Sequence, residues 1–138
     1  MRTMENLIRL GRQQLDSKRR MLSGLEGLRV DLEKRVSALE VEITTEQAAA
    51  QGETSFAYDS YAKEAIHRRE TLAKSVSEIA AQIAAAREEV AEAYREMKKF
   101  EIMEERRQQQ ARAARLRREQ AELDEIGGQA HHRSRNAP

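Results

Sequence analysis

Ala48-Ala49-Ala50-Gln51-Gly52-Glu53-Thr54-Ser55 is the stretch on which the fold turns. Three alanines carry a helix toward its end. Gly52 then suits a C-terminal cap, because without a Cβ it enters the left-handed conformation that closes a helix. Thr54 or Ser55 offers a hydroxyl to cap the next helix. Two helices joined by so short a turn run antiparallel.

Both flanks of the turn carry a seven-residue repeat. Ahead of it, Ile8, Leu15, Leu22, Val36 and Ile43 recur every seven residues, with Arg29 the intruder. Met4, Leu25, Leu32 and Leu39 fill the companion row, which Gly11, Lys18 and Glu46 interrupt. After the turn, Val76, Ile83, Val90 and Met97 form one row, and Leu72, Ile79, Ala86, Ala93 and Phe100 the other. These are the a and d positions of a left-handed coiled coil. Leu7, Met21 and Leu28 widen the first stripe, so the N-terminal half has apolar surface for more than one helix.

In an antiparallel pair an a residue faces a d residue, and the numbers of facing residues share a constant sum. Centring the turn near Thr54 sets that sum at 108. Large side chains then meet small ones: Leu22 meets Ala86, Leu15 meets Ala93, and Gly11 meets Met97. Two pairs, Arg29 with Ile79 and Lys18 with Val90, require the basic chains to snorkel. The predicted architecture is all-α, a two-helix antiparallel coiled-coil hairpin with a longer second helix overhanging the N-terminus. Residues 1–51 form the first helix and 52–55 the turn. Residues 56–126 form the second helix, with 104–126 as its overhang. Gly127-Gly128 predicts the stop, and 127–138 reads as a disordered tail.

Composition points the same way. Of 138 residues, 36% are charged and 4% aromatic, too few large side chains for a thick globular core. The single proline is Pro138, so nothing earlier forces a helix to break. With no cysteine there is neither a disulfide nor a thiolate metal site, which suits a reducing compartment. No segment predicts membrane insertion, and a soluble cytosolic chain is expected.

The residues carry no sign of catalysis. No glycine-rich stretch precedes a Lys-Ser or Lys-Thr pair, and carboxylates on solvated helix faces lack the burial that tunes an acid or base. Neither a cofactor nor a metal is expected; His131-His132 in a loose tail does not hold an ion. The arginines from Arg106 to Arg118 suggest nucleic acid, but interleaved acids offset them and no aromatics are placed to stack bases.

Protein partners are the better reading. Ile102, Leu116, Leu123 and Ile126 form a sparse apolar stripe on the overhang with nothing in the chain to cover it; a partner or simple fraying accounts for it. Phe56, Tyr58 and Tyr61, three of the five aromatics, follow the turn directly. Aromatics on a protrusion serve as anchors for a partner's pocket, or they cap the turn and cover the alanine run.

Several stretches resemble the FliJ family of flagellar export proteins. They are Phe56-Ala57-Tyr58-Asp59-Ser60-Tyr61, Ala93-Tyr94-Arg95-Glu96-Met97-Lys98-Lys99-Phe100-Glu101, and Arg118-Glu119-Gln120-Ala121-Glu122-Leu123-Asp124-Glu125; the N-terminal Leu7-Ile8-Arg9-Leu10 through Arg20 adds to them. The resemblance covers nearly the whole chain. It implies a non-enzymatic, stalk-like component of the flagellar type III export apparatus, a monomer held at the inner face of the cell membrane through that apparatus. It implies three partners: the export ATPase ring, the cytoplasmic domain of the membrane export gate, and export chaperones. By the same resemblance the gate meets the tip through Phe56, Tyr58, Tyr61 and Ala65. The ATPase meets the open end, around Leu7, Ile102, Leu116, Leu123, Asp124, Glu125 and Ile126. The tryptophans of some relatives are absent, and Tyr94 stands in for a larger anchor. A generic coiled-coil tether and the stalk of a virulence-type secretion system are the competing readings.

Overall fold

The computed structural model describes residues 3–50 and 56–136. They form two helices, α1 (Met4–Ala49) and α2 (Phe56–Asn136), packed against each other. At 1.5 Å per residue α1 is about 70 Å long and α2 about 120 Å. The start of α1 is set by Thr3, whose backbone is extended and whose Oγ1 accepts a hydrogen bond from the Asn6 amide at 3.2 Å. This is the side-chain cap that satisfies one of a helix's orphan donors. At the other end the Ala50 amide donates to the Glu46 carbonyl at 3.0 Å. The predicted cap at Gly52 and the turn at 52–55 lie outside the described residues.

The helices run antiparallel in the predicted register. A Cβ placed on Gly11 would sit 3.4 Å from Met97 Cα, so these two residues face each other at closest approach. Gly11 is the one glycine in α1 at a close approach: a Cβ there would already touch Met97, and a side chain longer than alanine's would push the helices apart. Lys18 Nζ reaches Glu89 at 3.3 Å, Arg87 reaches Glu26 at 3.7 Å and Arg68 reaches Glu42 at 3.5 Å, descending one helix as they ascend the other. Exposed ion pairs add little stability; these mark the alignment.

The seam is narrow. Leu15, Leu39, Ile79, Ile83, Ala86 and Met97 are buried in it, but among the described residues no side chain is completely enclosed. Burying one such Leu or Ile contributes roughly 1.5–3 kcal/mol. The basic intruders behave as expected of long amphipathic chains. Lys18 turns outward to Glu89, and Arg29 runs along the seam with its Nε shielded, 3.7 Å from Glu33.

Two boundaries differ from the sequence reading. The overhang begins after Glu104, which is itself buried. And Gly127-Gly128 does not end the helix: α2 continues through both glycines to Asn136. Neither takes the left-handed conformation that a glycine cap needs. Glycine inside a helix costs about 1 kcal/mol relative to alanine without obstructing it. Arg133 and Arg135 in the last turn complement the negative end of the helix dipole.

Candidate functional site

The two extremities present different surfaces. At the tip, α2 begins with Phe56, which is 87% exposed. Tyr58 and Tyr61 are half-buried and line a shallow notch with Ile43, Ala62 and Ile66. The difference follows from position: Tyr58 and Tyr61 fall at and beside the seam row that continues through Ala65, whereas Phe56 points away from it. The Tyr61 hydroxyl is shielded from solvent and lies near Glu42 without reaching hydrogen-bond geometry. Burial, then the charges of Glu42 and Glu46, raise its pKa above the ordinary phenol value. Ala65 is 2% exposed, inside the seam at the floor of the same notch, where a small residue lets the helices close.

At the opposite end, Ile102 is half-exposed and Leu116, Leu123 and Ile126 are open to solvent. Their spacing puts them on one side of α2, two heptads from Ile102 to Leu116, one to Leu123, then three residues to Ile126. Asp124 and Glu125 lie beside them, exposed, with Asp124 accepting a hydrogen bond from Gln120 Nε2 at 3.0 Å. Leu7 stays apart from this stripe, half-buried on α1 where the two-helix body ends.

Between body and overhang sits a polar cluster that the heptad reading passes over. Glu104 is held by Arg107 through Nε at 2.9 Å and Nη2 at 2.7 Å, and by Gln108 Nε2 at 3.2 Å. The two-pronged guanidinium contact lowers the Glu104 pKa below the ordinary carboxylate value against the opposing effect of burial. Arg107 also feels Glu5 at the start of α1. One turn earlier, Glu101 accepts from Arg12 of α1 at 3.0 Å and pairs with Lys98 at 3.2 Å, and both contacts lower its pKa. The Lys98 ammonium stands 5.8 Å from the centre of the Tyr94 ring, within cation–π reach. Much of the Tyr94-to-Glu101 stretch thus forms one cross-helix clasp. Its sequence signal was the spacing of three residues that sets Lys98 beside Glu101 and Arg107 beside Glu104.

Among the described residues no group of His, Asp or Glu is arranged to hold a metal ion. His132 contacts Asn136 at 2.9 Å on the last turns of α2. Among the described residues no helix is long and apolar enough to cross a membrane. What this arrangement can do is bind: an aromatic protrusion at one end, an unpaired amphipathic helix at the other, and a body that keeps them in alignment.

Comparison with known proteins yields one relation. The family model described as Flagellar FliJ protein matches residues 1–136. Neither the curated proteins nor the solved structures include a match.

Proposed function

The chain belongs to the flagellar FliJ family, whose members are components of the flagellar protein export apparatus, and from that premise we propose that it acts as the apparatus's coupling stalk. In this reading the overhang and the N-terminus dock in the export ATPase ring, and the tip engages the cytoplasmic domain of the export gate. The rod relates the state of one to the other, and export chaperones bind along the way. The stalk has no catalytic step of its own. It works in the cytoplasm, held at the inner face of the membrane by its partners.

The observation that carries this reading is the difference between the ends. One bears an exposed Phe56 over two half-buried tyrosines; the other bears an apolar stripe that no described residue covers. Energetic coupling between two partners requires two distinct sites joined by an element both can bias. A generic tether has no need for ends of such unlike chemistry.

Two variants separate the roles. Removing residues 105–136 should abolish stimulation of ATPase turnover while gate binding survives. Tyr61→Ala should weaken gate binding while stimulation survives. Co-purification with each partner, and turnover with and without the chain, would read both effects. If both variants weaken one and the same interaction, the two-ended stalk is wrong.

A further inference from the structure

Midway along the body, on the face that carries Arg35, a trough runs between α1 and α2. Its tip-side half is a groove of about 530 Å³ over Leu39 and Leu72, with Ala38 and Thr71 on its walls. Its other half is a groove of about 260 Å³ over Leu32 and Ile79, with Leu28 at the margin. Arg35 borders both, so the two form one surface. The trough exists because Ala38, Thr71 and Ser75, beside the seam, are too short to close over it. Leu28 is more than half exposed there. From Leu28 to Glu42 the trough spans about 21 Å, or four turns of helix.

The charges along this trough are sorted by sign and left open. Asp31 and Glu78 border the smaller groove; Arg35, His67 and Arg68 border the larger, with Glu42 beside Arg68. Elsewhere in the body, charges that face each other across the seam are paired, as Lys18 is with Glu89 and Arg87 with Glu26. Here Asp31, Glu78 and Arg35 make no ion pair among the described residues. Arg68 reaches Glu42 only at 3.5 Å, and its Nε, shielded from solvent, has no hydrogen-bond partner.

We propose that the trough is the docking site for an amphipathic helix of another protein, one with carboxylates in its first turn and lysines or arginines in its last. Its apolar edge lies over Leu39, Leu72 and Ile79. Its acids meet Arg35 and Arg68, and its bases meet Asp31 and Glu78. An apolar floor between charged rims is what helix-in-groove recognition uses. Acids first and bases last also suit the occupant's own dipole. That order sets its direction: it runs parallel to α2, from the basic half of the trough to the acidic half. Rim charges of this kind fix register and direction more than they add affinity. The trough shares no residue with the tip notch. It stops about 30 Å along α1 from Leu7, so it can be filled while both ends are engaged, and the inference does not rest on the stalk reading.

The probe is a fluorescein-labelled synthetic peptide of about four helical turns, with leucines along one edge, glutamates in the first turn and lysines in the last. A second peptide exchanges the glutamates and the lysines. Fluorescence anisotropy with the full-length chain should give a Kd of about 10–100 µM for the first peptide, and binding roughly tenfold weaker for the second. The triple variant Asp31→Lys, Arg35→Glu, Glu78→Lys should reverse that preference. Its melting temperature should stay nearly unchanged, because all three side chains are exposed. Ala38→Trp, which fills the larger groove from an exposed position, should abolish binding of both peptides. In sedimentation equilibrium the chain alone should be a monomer. The proposal is overturned if neither peptide binds, if the two bind equally, or if the triple variant leaves the preference as it was. Binding that survives Ala38→Trp overturns it too. So does a dimer of the chain alone that Ala38→Trp dissolves, because the trough then receives a second copy.

Discussion

The body of α2 and its overhang are one continuous helix of similar composition, yet they owe their shape to different causes. In the body, Ile79, Ile83, Ala86 and Met97 are buried against α1. Beyond Glu104 only Ala114 is even partly covered, and the remaining described residues are exposed. Tertiary burial holds the first region helical; the second depends on intrinsic propensity and on neighbours three and four residues apart. A helix of roughly 50 Å standing alone keeps its apolar stripe in water, so it has more to gain from a partner than the body has.

The largest expected difference is in the response to truncating an apolar side chain. Ile83→Ala should cost about 2–4 kcal/mol, since it removes transfer energy and leaves a gap in a narrow seam. Leu116→Ala should change global stability by less than about 0.5 kcal/mol. Urea unfolding followed by circular dichroism measures both. Equal losses would mean that the overhang is packed on something and that the contrast is false.

Glycine gives the next test. Gly11→Leu must force a side chain into the space occupied by Met97, at a cost of about 1–3 kcal/mol. Gly24→Ala, which meets nothing, should instead stabilise the helix by up to about 1 kcal/mol. Thermal melts should therefore move in opposite directions.

Acid should loosen the junction between the two regions. Glu101 and Glu104 have lowered pKa values in the folded chain, so each prefers the folded state when ionised. Their contribution is complete above the ordinary glutamate pKa and is lost as pH falls through the lowered values. The melting temperature should drop on acidification through that window, and Glu104→Gln should remove part of the drop. Ending the chain after Gln108, which keeps both partners of Glu104, is the smallest perturbation to the body: helical ellipticity falls, but the midpoint of the body's melt should stay nearly where it was.

The seam was legible because a heptad is a local pattern and antiparallel pairing adds a single unknown. Gly11 against Met97 resolved that unknown, and both basic intruders turned out to run along or out of the seam. The end of α2 was not legible. A glycine pair signals a stop only if its backbone turns left-handed, and a helix already propagating, with Arg133 and Arg135 ahead at its C-terminal end, passes through. Ala65 shows a related limit. Residue type and proximity to the tip do not say whether an alanine faces in or out; its place in the seam row does. At the candidate site, the exposure of Phe56, Leu116 and Leu123 followed from helical position. Glu104 did not, since a charged residue in a core row reads as the end of the row, whereas here Arg107 and Gln108 allow it to be covered.

Because facing residues keep a constant sum along the seam, the lengths of the two helices are tied together. Seven residues inserted into α1 alone would throw every pair on one side of the insertion out of step. Matched insertions of seven in both helices, placed at facing points, would preserve each contact and move the tip about 10 Å further from the open end. The hairpin is thus a gauge graduated in heptads, and a set of lengthened versions would measure how much span its surroundings tolerate.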